Sequence, residues 1–180
     1  MNEPLTRSVL VIDDEIFIRD LLSDFFVKLQ FGVVVAPDGN AGIAEFRKSR
    51  FDVALVDLKM PGKSGIETLR ELHQIHANTP VIVMTGYPTI DSSIEALRLG
   101  AYDYIIKPFK LQELKDVVDR AIKEQEIHVE IDSLREKVHT IEAELRQYRS
   151  AASERVREIG SLAGGAADPT PVKTVGIPRS

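Results

Sequence analysis

Three short apolar runs end in side chains that can do chemistry. Val9-Leu10-Val11-Ile12 stops at Asp13-Asp14, Val53-Ala54-Leu55-Val56 stops at Asp57, and Val81-Ile82-Val83-Met84 stops at Thr85-Gly86. A fourth stretch, Tyr102 to Lys107, ends in an amine. Three carboxylates at close quarters repel unless a cation or a shared proton relieves them. Ligands that offer only oxygen suit magnesium, which takes one or two carboxylates and keeps several waters. With its surroundings partly neutralised, Asp57 stays ionised and is a nucleophile. An incoming phosphoryl group carries charge on three oxygens, and its transfer is mostly a matter of positioning and charge neutralisation. The metal would serve one oxygen, the Thr85 hydroxyl a second and the Lys107 ammonium a third. Any one of these acids alone would more readily be a helix cap or a loop residue. Their joint placement with Lys107 is what argues for a site.

The elements that must position these groups follow from the pattern around them. Short apolar runs bounded by polar or turn residues fit strands buried on both faces, as a parallel sheet requires. Between the runs lie helical spacings: Phe17, Leu21, Leu22, Phe25, Phe26 and Leu29 in Glu15 to Gln30, then Ala41, Ala44 and Phe46 in Asn40 to Arg50. Two more helices are expected, one from Gly65 to about His76 and one from Thr89 to Leu99, the latter stopped by Gly100. Gly32 is the expected left-handed residue closing the first helix. Strict alternation of strand and helix predicts an α/β fold with helices on both faces and right-handed crossovers. The flavodoxin-like order 2-1-3-4-5 sets the first and third strands side by side, making Asp13, Asp14 and Asp57 neighbours.

Bulk properties narrow the class. The 180 residues suffice for one domain plus an extension, and the net charge of −5 argues against a nucleic-acid surface. With no cysteine there is neither a disulfide framework nor a thiolate zinc site. No apolar run approaches the roughly 20 residues that span a bilayer, and the amino terminus has no signal-like core. A cytoplasmic protein with no membrane partner is the expectation.

The last helix runs past the point where a globular domain would end. Between Leu111 and Ile159 there is no proline or glycine. Apolar residues fall at Ile127, Ile131, Leu134, Val138, Ile141, Leu145, Tyr148 and Ala152, in alternating steps of 4 and 3. This is a heptad seam, with Ile131, Val138, Leu145 and Ala152 at a and the others at d. In a parallel dimer the flanking pairs are Glu130–Arg135, Lys137–Glu142 and Glu144–Arg149, each opposite in sign. An antiparallel pair centred on the same segment would set Lys137 against Lys137 and Glu142 against Glu142. A single amphipathic helix lying on another domain is the plainer alternative. Small and polar residues with Gly164-Gly165, Pro169, Pro171 and Pro178 follow, a composition expected to be disordered. The expected organisation is an α/β domain over 1–122, a coiled-coil helix over 123–159 and a disordered tail over 160–180.

The motifs Asp13-Asp14-Glu15, Asp57-Leu58-Lys59-Met60-Pro61-Gly62, Met84-Thr85-Gly86 and Tyr104-Ile105-Ile106-Lys107-Pro108-Phe109 stand in one order across residues 8 to about 122. Together they resemble the receiver domain of two-component response regulators. The resemblance implies that Asp57 accepts a phosphoryl group from a histidine kinase or phosphotransfer protein. It implies that Asp14 ligates magnesium directly, Asp13 through water and Lys59 through its backbone carbonyl. It makes Thr85 and Tyr104 a switch pair, gives Lys107-Pro108 a cis peptide, and places kinase docking on the first helix at Phe17, Ile18 and Leu21, with Ile18 exposed. Gly86 stands where the family most often has alanine. Lys59 and Tyr87 take positions that flank the pocket and tune hydrolysis; two bulky side chains there are expected to shield the phosphoryl group. His73, His76, His128 and His139 have no ligand spacing and are expected at the surface or beside the seam.

The resulting expectation is a regulatory phosphoacceptor, not an enzyme, that signals through conformation or parallel homodimerisation to a downstream protein. No DNA-reading or ATPase motif is found in the sequence, and direct nucleic-acid binding is not expected. Three other readings stay open: a constitutive coiled-coil scaffold with a vestigial receiver, a magnesium-dependent phosphohydrolase, and a regulator of the DNA-binding, ATPase type that has lost its later domains. The phosphohydrolase needs an acid two residues after the nucleophile, where this chain has Lys59.

Overall fold

The computed structural model describes residues 7–163, with side chains described to residue 160. The disorder expected for the tail concerns residues that lie almost wholly outside these. Ten elements alternate: β1 (Ser8–Ile12), α1 (Ile16–Lys28), β2 (Gly32–Ala36), α2 (Gly39–Lys48), β3 (Val53–Asp57), α3 (Gly65–Ile75), β4 (Val81–Thr85), α4 (Ile90–Arg98), β5 (Asp103–Ile106) and α5 (Leu111–Ala163). All strand pairs are parallel, and the order is β2-β1-β3-β4-β5. This is the doubly wound arrangement expected from the alternation, with β1 and β3 adjacent at the switch point.

The period of two along each strand divides the core. Leu10, Ile12, Ala54, Val56, Val81 and Val83 point to one face, where they meet Ile43 and Phe46 of α2, Leu69 and Leu72 of α3, and Ala96 of α4. Val9, Val11, Val53, Leu55, Ile82 and Met84 point to the other, against Leu22 and Phe26 of α1 and Leu114, Val118 and Ile122 of α5. A sheet clad on both sides leaves its strand ends as the place for polar residues. α4 is the exception in its packing, since Ala96 is its single buried residue.

Local signals set the helix ends. Asp38, Ser64 and Thr89 cap α2, α3 and α4 through their side chains. Gly100 takes φ +91° after α4, and Gly100 N–H and Ala101 N–H donate to Leu97 O and Ala96 O, the paired bonds of a Schellman ending. At α1 the ending differs from expectation. Gln30, not Gly32, takes the left-handed conformation, with φ 64°. Gln30 N–H donates to Val27 O and Phe31 N–H to Phe26 O, while the Phe26 and Phe31 rings pack edge to face. That ring contact offsets the strain at a residue with a Cβ, and frees Gly32 to open β2.

The chain divides into two units, Met1–Glu130 and Ile131–Ser180. Within the second, the helix extends past the expected stop at Ile159 to Ala163, a lone glycine such as Gly160 being tolerable in a helix at a cost of ~1 kcal/mol. Ile131, Leu134, Val138, Ile141, Leu145, Tyr148 and Ala152 all stand exposed along it, as does Ile127 in the first unit. Among the described residues no helix is long and apolar enough to cross a membrane.

Gly65 fits where no other residue would. A Cβ there would lie 2.1 Å from Asp57 O and 2.6 Å from Leu58 Cα, so α3 starts pressed against the backbone of the strand end. Gly65→Ala is expected to lower stability by about 1–3 kcal/mol in urea unfolding. Gly86→Ala, with open space around the new methyl, should leave the urea midpoint unchanged.

Candidate functional site

The parallel strands β1, β3, β4 and β5 end at one edge, and the expected groups gather there. Asp13 and Asp57 are both buried. One ammonium joins them: Lys107 Nζ lies 2.7 Å from Asp13 Oδ2 and 3.1 Å from Asp57 Oδ1. Lys107 N–H donates to Thr85 O, which fixes the start of the lysine on the neighbouring strand end, and the Lys107–Pro108 peptide is cis. Each remaining carboxylate oxygen accepts a backbone N–H, Asp13 Oδ1 from Glu15 and Asp57 Oδ2 from Lys59. Among the described residues no buried side-chain polar atom lacks a partner.

The electrostatics follow from this burial. Desolvation pushes the Asp13 carboxyl above its ordinary range, the negative Asp57 adds to the rise, and Lys107 opposes it by hydrogen bond and charge. Burial alone would lower the lysine, but the hydrogen bond and charge of Asp13, with Asp57 behind them, win and raise it to about 12. At neutral pH the edge therefore holds two buried acids and one firmly charged ammonium. Asp14 beside them is exposed.

Oxygen-only donors with surplus negative charge fit a hard divalent cation. They are not arranged as a ready-made nest. Asp13 and Asp57 are both drawn onto Lys107, and among the described residues no three acidic or histidine side chains converge at metal-binding spacing. Asp14 and Lys59 instead line a groove of about 590 Å³ with Met60, Pro61, Ser92 and Glu95. Thr85 is buried, and its Oγ1 accepts from Tyr87 N–H at 3.2 Å. A hydroxyl has one proton and two lone pairs, so this bond leaves the proton to donate.

Several placements differ from expectation. Tyr87 contributes its N–H, while its ring is 73% exposed. On α1, Ile18 is half-buried against the second core face, whereas Ile16 and Phe17 are open to solvent at 67% and 73% and Leu21 borders them. The helix starts at Ile16, and its rotation turns Ile18 inward. His73 is half-buried, its Nδ1 2.8 Å from Leu99 O, and the His76 ring lies 5.4 Å from that of Phe46, so neither is a free surface histidine.

Other groups at the edge escaped the sequence. Glu15 Oε1 stands 3.2 Å from Lys107 Nζ, and Arg19 Nη1 donates to the Asp13 carbonyl at 2.6 Å. The Tyr104 hydroxyl lies 3.0 Å from Ser92 Oγ on α4. Acidic residues next to Asp13-Asp14 were visible; that Glu15 folds back, or that a serine seven residues beyond Thr85 meets an aromatic, carries no sequence signal.

Removing the ammonium should expose how these charges depend on one another. A group whose folded pKa is raised adds stability at pH below its unfolded value and loses it as pH rises through the folded one. For Lys107 that loss falls between 10.5 and about 12; for Asp13 it begins above 3.8. Lys107→Met is expected to push Asp13 higher still and to cost ~3 kcal/mol at neutral pH. The deficit should shrink on acidification as Asp13 takes up a proton, a trend read by urea unfolding across pH with carbon-13 carboxyl shifts to locate the titration.

Comparison with known proteins gives the geometry its relatives. Residues 9–119 match the family model described as the response regulator receiver domain. The chain is 39% identical over 132 residues to regulatory protein AtoC of Escherichia coli, covering 73% of this chain and 29% of that protein. It is 35% identical over 116 residues to sporulation initiation phosphotransferase F of Bacillus subtilis, covering 64% of this chain and 94% of that one. A receiver domain structure from Methanospirillum hungatei superposes with a TM-score of 0.67 at 28% identity, over 68% of this chain and 98% of the other.

Proposed function

Because the chain belongs to the response regulator receiver domain family, we propose that Asp57 accepts a phosphoryl group from the phosphohistidine of a histidine kinase or phosphotransfer protein. Receiver domains are phosphoacceptor regulatory domains, not catalytic enzymes. The chain spans less than a third of AtoC, so what the whole protein controls is itself a matter of proposal.

The observation that carries the reading is the single Lys107 ammonium shared by Asp13 and Asp57 at the sheet edge, beside a Thr85 hydroxyl with its proton free. An Asp57 carboxylate oxygen attacks phosphorus, the N–P bond to histidine breaks, and the departing imidazole keeps the bonding pair. Lys107 then pairs with one phosphoryl oxygen and Thr85 donates to another. Bound magnesium would supply further charge neutralisation at the phosphoryl group. Asp13, Asp14 and Asp57 with the Lys59 carbonyl are the residues that would hold it. Lys107 loosens from Asp57 as the new dianion forms, because the stronger charge outcompetes the carboxylate. Thr85 and Tyr104 would register the change. The exposed Ile16, Phe17 and Leu21 on α1 offer the phosphodonor protein an apolar docking surface beside the edge.

The readout we propose is a parallel homodimer through α5. Its exposed stripe at heptad spacing lines a shallow groove of about 440 Å³ with Ile131, Leu134, Val138 and the polar Arg135, His139 and Glu142. An exposed apolar stripe of this length is a partner site, and the charge pairs select a second copy of the same helix in register. Transmission runs through the conformation of the receiver to the dimer and thence to a downstream protein, with no direct nucleic-acid contact by residues 1–180.

Magnesium with acetyl phosphate should add one phosphate to the protein by intact mass, and none to Asp57→Ala; labelling of that variant would remove Asp57 from the role. Sedimentation of the same samples reads the assembly. Lys137→Glu should weaken the dimer by about 1 kcal/mol, since the change sets Glu against Glu142 twice across the two-fold axis. Mixing that variant with Glu142→Lys protein should favour the mixed dimer over either homodimer.

A further inference from the structure

Ser92 sits in the first turn of α4 and belongs to two structures at once. It is the third helical residue of the capping box: Ser92 N–H donates to Thr89 Oγ1 at 3.1 Å, while Thr89 N–H reaches back to Ser92 Oγ at 3.2 Å. The Ser92 hydroxyl also lies 3.0 Å from Thr89 O and 2.8 Å from Thr89 Oγ1. To this the Tyr104 hydroxyl on β5 adds a further contact at 3.0 Å. One serine oxygen has one proton and two lone pairs, fewer than these contacts require. The tyrosine and the cap therefore draw on the same hydroxyl. The Tyr104 body packs half-buried against the core face shared with α4.

The placement gives this bond leverage. α4 offers the core only Ala96, with Leu99 partly buried at its end, so its attachment near the amino terminus depends on few groups. Ser92 also borders the groove lined by Asp14 and Lys59, on the side of α4 that faces the phosphorylation edge. A change at that edge has a short path to it.

We infer that Ser92 is a positioning residue that joins the Tyr104 ring to the first turn of α4, so that release of one loosens the other. This rests on the reading of Tyr104 as a switch residue only where it touches phosphorylation; the coupling itself is a property of the unmodified fold. The hydrogen bond between the Tyr104 hydroxyl and Ser92 Oγ holds the ring against the domain. When the ring leaves, the hydroxyl reverts to Thr89 and α4 loses its tie to β5.

The test is amide hydrogen exchange across residues 89–94 of the full chain, comparing wild type with Ser92→Ala, Tyr104→Phe, the double variant and Ser92→Thr. Tyr104→Phe keeps the ring and deletes one oxygen on β5, outside α4, whose residues run from Ile90 to Arg98. It is expected to speed exchange there roughly 2- to 10-fold, the worth of one neutral hydrogen bond. Ser92→Ala should do at least as much, and Tyr104→Phe should add nothing on top of it. Ser92→Thr, which retains the hydroxyl, should restore exchange to near the wild-type rate. If Ser92 only capped its helix, Tyr104→Phe would leave α4 exchange unchanged, and that result overturns the inference, as does additivity in the double variant. A parallel sample treated with acetyl phosphate and magnesium separates the two readings. Unaltered exchange in protein phosphorylated on Asp57, with the variants behaving as expected, would retain the Ser92 coupling and reject Tyr104 as a phosphorylation switch.

Discussion

Two acids that share one base hold the working edge of this protein together. Asp13 and Asp57 come from strands that the crossover order makes neighbours, and both are out of solvent. Without Lys107 between them their mutual repulsion and their desolvation would act in the same direction. The lysine reaches them from β5, two strands away from β3, so the ion cluster ties together the carboxyl ends of β1, β3 and β5. The backbone donors of Glu15 and Lys59 and the close seating of Gly65 on the β3 end serve the same cluster. Two buried acids against one ammonium leave negative charge in excess at this edge, and that excess sets its stability against pH.

Most of the fold was legible because its signals are redundant. Three apolar runs, their polar ends and the punctuation by Gly and Pro all argue for the same alternation, while the strand order came from the fold class, since alternation by itself admits more than one doubly wound order. Gly100 shows the strength of such a signal, its left-handed φ falling where a helix stop was expected. Gln30 shows where it fails. A non-glycine residue closes α1 because a phenylalanine contact across the turn stabilises the ending, and that contact exists only after folding. The helical phase of Phe17 and Ile18 was ambiguous for a related reason. Consecutive apolar residues at a helix start do not say which faces inward until the first residue of the helix is known.

At the site, the residues legible in advance were those at strand ends, whose position the topology dictates. Those missed were side chains brought in by tertiary approach: Glu15 folding back on Lys107, Arg19 on the Asp13 carbonyl, and Ser92 on Tyr104. Long side chains and hydroxyls choose partners by a few ångströms of geometry, below what spacing in sequence resolves. The ring of Tyr87 is the converse case, a bulky residue in the right place that turns out to solvent.

α4 has a further consequence outside chemistry. A helix that contributes Ala96 alone to the buried core leaves its outward residues, Ile90, Ile94 and Leu97 among them, without packing duties. Substitutions there change the surface while leaving the interior intact. The outward face of such a helix can vary at little cost to folding, so the surface of this domain is less constrained than its interior.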